Sequence, residues 1–193
     1  MKTFVHFMQQ QLEEKRQRLI ELREIYLKRG YAFPASFTAF MEDCQTCLKE
    51  LGKTEAESVL SRNRVFFDNC LKGIHPIRME KVSTHKRAMM WALAPEPMQQ
   101  IENILLNELE KVNEKLKSAN VDVQNVLLMA LQTGVLKRQA LDQITNLDAV
   151  DALWAKLCQD DNVNLLHQKL LLSIYRQDIL ILMDQNIQRI QTR

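Results

Sequence analysis

Eight of the 193 residues are Gly or Pro, and seven of those eight lie between Gly30 and Pro97. These are the residues that most often end helices and strands. Elsewhere the chain runs on in Leu, Glu, Lys, Gln, Arg and Met, whose side chains lose little rotamer freedom in a helix. The expected fold is all-α: a bundle of about eight or nine helices joined by short turns, crowded in the first half and closed by a long apolar C-terminal helix.

The apolar spacing supports this. Val5, Met8, Leu12, Leu19, Leu22 and Tyr26 recur at intervals of three, four and seven, one face of a helix over 5–29, with Lys15 interrupting it. Gly30, Gly52 and Gly73 each follow a helical pattern with a lysine or arginine close before, the expected left-handed stop. Helices are expected over 36–51, after Thr54 (with Glu57 as a capping box), from near Ser83 or Thr84 to Leu93, over 98–118, from Asp122 to Thr133, over 136–144, over 148–159, and from Asn162 to the C-terminus. That last segment is unusually apolar: thirteen of the 21 residues from Val163 to Met183 are hydrophobic. A helix on one surface needs only a stripe, so it is expected to be central to the fold or to touch another chain.

Ala94-Pro95-Glu96-Pro97 is the firmest break, since each proline disfavours helix in the residue before it. It separates an N-terminal half, 1–94, from a C-terminal half, 98–193, and the sequence leaves one domain or two open. The halves differ in charge: 16 Lys and Arg against 12 Asp and Glu over 1–97, and 10 against 12 beyond. The whole chain carries +2, which commits it neither to nucleic acid nor to acidic lipid. The apolar stretch before Gln9 is shorter than the roughly 7–15 residues of a signal peptide core. No run approaches the ~18 apolar residues of a membrane span. The four cysteines then read as reduced thiols, and a soluble, cytoplasmic protein with no membrane partner is expected.

Few residues suggest chemistry. Cys44-x-x-Cys47 with Cys70 and His75 supplies four zinc-type donors. The two cysteines also share a helix face with Phe37, Phe40 and Leu51, where free thiols pack as small apolar groups. The expectation is burial without metal, and no cofactor is expected. Asp160-x-Asn162-x-Asn164 matches the first ligand positions of a calcium loop but has Leu165 where glycine is needed and Leu171 where glutamate is needed. A helix-capping role is expected instead. No His has a Glu three residues before it, and there is no nucleophile elbow or glycine-rich phosphate loop.

The first functional reading is therefore a non-enzymatic protein–protein interaction module: an adaptor, a chaperone-like binder or an assembly subunit. Its partner would be another protein or a second copy, met through Leu172, Tyr175, Ile179, Leu182 and Met183. The second is a nucleic-acid-associated protein using Arg62, Arg64, Lys72, Arg78, Lys81, Lys86 and Arg87. A third, a secreted-system effector or inhibitor of a partner protein, has the same sequence signature as the first.

Overall fold

The computed structural model describes residues 4–82 and 85–192. Among them are nine helices and no strand: α1 (Val5–Leu27), α2 (Phe33–Glu50), α3 (Thr54–Lys72), α4 (Lys86–Leu93), α5 (Pro95–Gln132), α6 (Arg138–Leu141, a single turn), α7 (Leu147–Leu157), α8 (Asp161–Ser173) and α9 (Arg176–Gln191). The all-α bundle is as expected. No described helix is long and apolar enough to cross a membrane. The described residues form two compact units, one of residues 9–110 and the other of residues 4–8 with 111–192.

In the first unit the α1 stripe Leu12, Leu19 and Leu22 is buried, as are Phe33, Phe37, Phe40, Met41, Cys44, Cys47 and Leu48 of α2. Phe33 stacks on Phe37 and on Trp91, and Phe67 meets Phe37 edge-on at 4.9 Å between centroids. Such pairs add about 0.5–1.5 kcal/mol each beyond their buried area. The Tyr26 hydroxyl donates to the Trp91 carbonyl at 2.8 Å, fixing α4 to α1. Lys15, the interruption in the α1 stripe, is accommodated by a 2.7 Å bridge to Asp43 of α2.

Two local expectations for this unit are corrected. The left-handed residue after α1 is Arg29 (φ 51°), not Gly30. Glycine at 30 is needed for space, because a Cβ there would lie 2.9 Å from the Ile25 side chain. The Thr54–Glu57 capping box does not form: α3 begins at Thr54 itself, with Lys53 as its N-cap. The Glu57 carboxylate instead accepts from Gln45 at 2.7 Å and Ser61 at 3.2 Å. Gly52 and Gly73 are left-handed, as expected. The expected helix start near Ser83 or Thr84 lies outside the described residues; α4 is seen from Lys86. Pro95 and Pro97 stand in the first turn of α5, where the missing N–H groups would have no helical partner anyway.

Two more expectations are corrected further along the chain. The expected helices 98–118 and 122–133 are one helix, α5. Asp122 caps nothing there and pairs instead with Lys169 of α8 at 3.3 Å. No Gly or Pro interrupts 98–133, and Ala119, Val123, Val126, Leu127 and Ala130 continue the buried face without a break.

The long apolar C-terminal helix is not found: the chain leaves helical geometry at Ile174 (φ −132°, ψ 171°) and restarts as α9. Two things hold this break. Ile174 turns inward to 2% exposure. Asp178, fully buried, accepts the Tyr175 backbone N–H at 3.0 Å as a first-turn carboxylate of α9. The same carboxylate accepts the backbone N–H groups of Val5 (3.1 Å) and His6 (2.9 Å), and His6 Nδ1 lies 2.7 Å away. A carboxylate only accepts, so the ring must present an N–H there.

Asp160 caps α8, accepting from the N–H groups of Asn162 and Val163, and Asn146 caps α7 through Ala149. Buried Asn186 is fully engaged, donating to Asn120 and to the Leu182 carbonyl while accepting from Gln124. Trp154, 1% exposed, donates its indole N–H to His167 Nδ1 at 3.1 Å.

Candidate functional site

The cysteine set does not assemble. Cys44, Cys47 and Cys70 are buried free thiols, and no cluster of three or more His, Cys, Asp or Glu side chains arranged for a metal occurs among the described residues. Burial pushes all three thiols up, Cys44 most, with Lys15 nearby only partly opposing the shift at Cys44 and Cys47. Their nucleophilic thiolates are therefore disfavoured at neutral pH. His75 is used locally: its Nδ1 accepts from the N–H groups of Ile77 and Arg78.

The cationic residues remain at the surface. Arg62, Lys72, Arg78, Lys81, Lys86 and Arg87 are exposed, whereas Arg64 is half-buried and bound to Glu42 at 2.7 Å. Among the described residues no ion pair engages Lys72, Arg78, Lys81 or Lys86. Arg87 lies 4.5 Å over the ring of Tyr31, which is 87% exposed. The connection after α3 is a tight antiparallel loop: Ile74 bridges Lys81, and the Val82 N–H donates to the Gly73 carbonyl at 2.7 Å. Its turn exposes Ile77 (72%) and Met79 (66%).

The five C-terminal residues have different fates. Ile179, Leu182 and Met183 are core residues of the second unit, 0–4% exposed. As folded, they are not presented to a partner, because the α8–α9 break turns the apolar face of α9 inward. Tyr175 is half-buried, and Leu172 alone of the five stands out, at 79%. Leu165, one heptad earlier on α8, is also exposed, at 69%. That seven-residue interval was visible in the sequence.

Sequence reasoning missed a cleft in the second unit. About 490 Å³ lies among α5, the segment after it, the end of α7 and the start of α8. Val126, Ala130, Leu157 and Val163 form its buried floor, and Met129 and Val135 form an apolar rim. Lys156, Gln159, Asp160, Asn162 and Thr133 are its polar margin. The Asp160 carboxylate is already committed to capping α8. A second opening of about 340 Å³ lies on the other flank of α5, against Leu127, Leu128, Asn186, Arg189 and Ile190. An aliphatic floor with a sparse polar edge suits an apolar side chain. Comparison with protein-family models, curated proteins and solved structures gives no match.

Proposed function

We infer that the chain is a non-enzymatic helical interaction module, an adaptor or assembly subunit that receives an apolar helix of its partner in the cleft beside α5. The observation that carries this reading is the cleft lining: buried aliphatic residues flanked by exposed Met129 and Val135. Recognition of a helix in a groove needs such a floor for anchor side chains spaced three or four residues apart. Methionine suits the rim, because its flexible thioether fits differently shaped anchors.

The test is site-specific photo-crosslinking of the full chain in its cell of origin, with the probe at Met129 or, as a control, at exposed Glu24 of the first unit. A discrete adduct from position 129 that vanishes when Ala130→Trp fills the cleft floor, or when Val135→Asp charges its rim, is expected. Identical products from both positions, or an adduct indifferent to both changes, would remove the reading. Light scattering then tells a second copy from a different protein.

A further inference from the structure

Independently of that cleft, we propose that the loop of residues 73–82 after α3 docks the first unit on an anionic lipid surface, its turn inserting Ile77 and Met79 among the headgroups. Residues 62–87 hold seven Lys and Arg against two acids, Asp68 and Glu80, in a chain whose net charge is only +2. The backbone gathers four of these cations, Lys72, Arg78, Lys81 and Lys86, around the turn and its base. Lys81 pairs with Ile74 in the antiparallel bridge, and Arg78 stands in the turn beside Ile77 and Met79. Lys72 directly precedes the left-handed Gly73, at the loop base. The Lys86 side chain lies over Gly73, where an added Cβ would meet it at 3.3 Å. With about 3.3 Å per extended residue, the Ile74–Lys81 bridge and the turn lie within about one Debye length at 0.1 M salt.

Charge alone would fit any polyanion; the apolar turn separates the candidates. Ile77 and Met79 are the exposed tip of a projecting turn, not the floor of a groove, and aliphatic side chains add nothing to phosphate contacts on nucleic acid. Single-strand binding calls for aromatic platforms, and the exposed Tyr31 ring already carries Arg87 over a face. A headgroup layer takes both features together: cations are drawn to its negative potential and short apolar side chains enter the acyl boundary. The loop is held in shape by the 2.8 Å bond from the His75 N–H to the Glu80 carbonyl and the 2.7 Å bond from the Met79 N–H to the His75 carbonyl.

The experiment is co-sedimentation of the full chain with vesicles of phosphatidylcholine alone or with about one third phosphatidylserine. Binding to the anionic vesicles at about 0.1 M salt, little to the neutral ones, and release at about 0.5 M salt are expected. Each cation near the surface contributes roughly fivefold to partitioning, so Arg78→Ala with Lys81→Ala should lower it roughly 25-fold. Ile77→Ser with Met79→Ser should lower it at least about tenfold while the salt dependence stays. All four side chains are exposed, and unchanged far-ultraviolet circular dichroism confirms that both variants fold. Equal binding to neutral and anionic vesicles, no binding at all, or full binding by the Ile77→Ser, Met79→Ser variant would overturn the proposal. So would an empty vesicle pellet together with tight binding of a dT oligonucleotide that this variant retains, which would make nucleic acid the partner.

Discussion

Replacing Asp178 tests how the second unit is held together. The carboxylate is fully buried and holds four groups: the backbone N–H of Val5, His6 and Tyr175, and the His6 ring. The Val5 and His6 N–H groups open α1 and the Tyr175 N–H opens α9, so none has a partner within its own helix. Hydrogen bonds to a charged acceptor are worth about 1.5–3 kcal/mol each, less where water reaches the freed donor. The buried Val5 donor should cost about 2 kcal/mol and the two part-buried donors about 1 each; relief of the carboxylate's own desolvation offsets some of this. Asp178→Ala should therefore destabilise by about 3–4 kcal/mol, roughly 10 °C in melting temperature for a chain of this length. Asp178→Asn, which keeps the shape but turns an NH2 toward some of the donors, should cost about 2 kcal/mol.

A pH series adds a check on the cause. Burial by itself would raise the Asp178 carboxyl pKa, but the hydrogen bonds from the His6 ring and from the His6, Tyr175 and Val5 N–H groups more than offset it, leaving it below the ordinary value. A carboxyl depressed in the folded state contributes stability that is present above its unfolded pKa, about 3.9. That contribution is lost as pH falls through the lower folded value. Urea unfolding followed by tryptophan fluorescence should show parent and Asp178→Asn well separated at pH 7 and converging below about pH 4. An Asp178→Asn cost under about 0.5 kcal/mol at pH 7, or a difference that does not shrink in acid, would refute the reasoning.

Three further outcomes are expected. Glu108→Ala should cost about 2–3 kcal/mol in chemical unfolding, because it strands Lys53, held 2.8 Å away and only 18% exposed; Glu108→Gln should cost less. With a thiol reagent at pH 8, half-buried Cys158 should react first, and Cys44, Cys47 and Cys70 should react only on unfolding, since burial keeps all four thiols protonated to higher pH. Trp154→Phe should cost about 1–2 kcal/mol, by removing both indole volume and the donor to His167, as a shift in melting temperature would report.

Which parts of this were legible in the sequence follows from the range of the interactions involved. Helix existence rests on spacing and on scarce Gly and Pro, both local, so the α2 face Phe37, Phe40, Cys44, Cys47 and Leu51 was readable directly and is buried as expected. Caps were readable only where nothing competed: Asp160 caps α8, whereas Glu57 is drawn off by Gln45 of α2 and by Ser61 one turn along its own helix. The α8–α9 break was not readable, because nothing around Ser173-Ile174-Tyr175 is a breaker. It depends on a carboxylate that also binds Val5 and His6, more than 170 positions away. Beyond that break, three expected contact residues, Ile179, Leu182 and Met183, are core. The cleft was equally hidden, since its floor joins Val126 and Ala130 of α5 to Leu157 and Val163. Each of these taken alone reads only as one more buried position of an amphipathic helix.

The reading stands or falls on whether the cleft beside α5 is the contact surface. Amide hydrogen exchange on the chain alone and on its crosslinked or copurified complex tests it most directly, since seating a helix there must slow opening of the surrounding backbone. Added protection is expected over 126–135 and 156–163, the segments that line the cleft, and none over 73–82. Protection confined to the first unit, or unchanged exchange around the cleft in a complex that holds together, would contradict it.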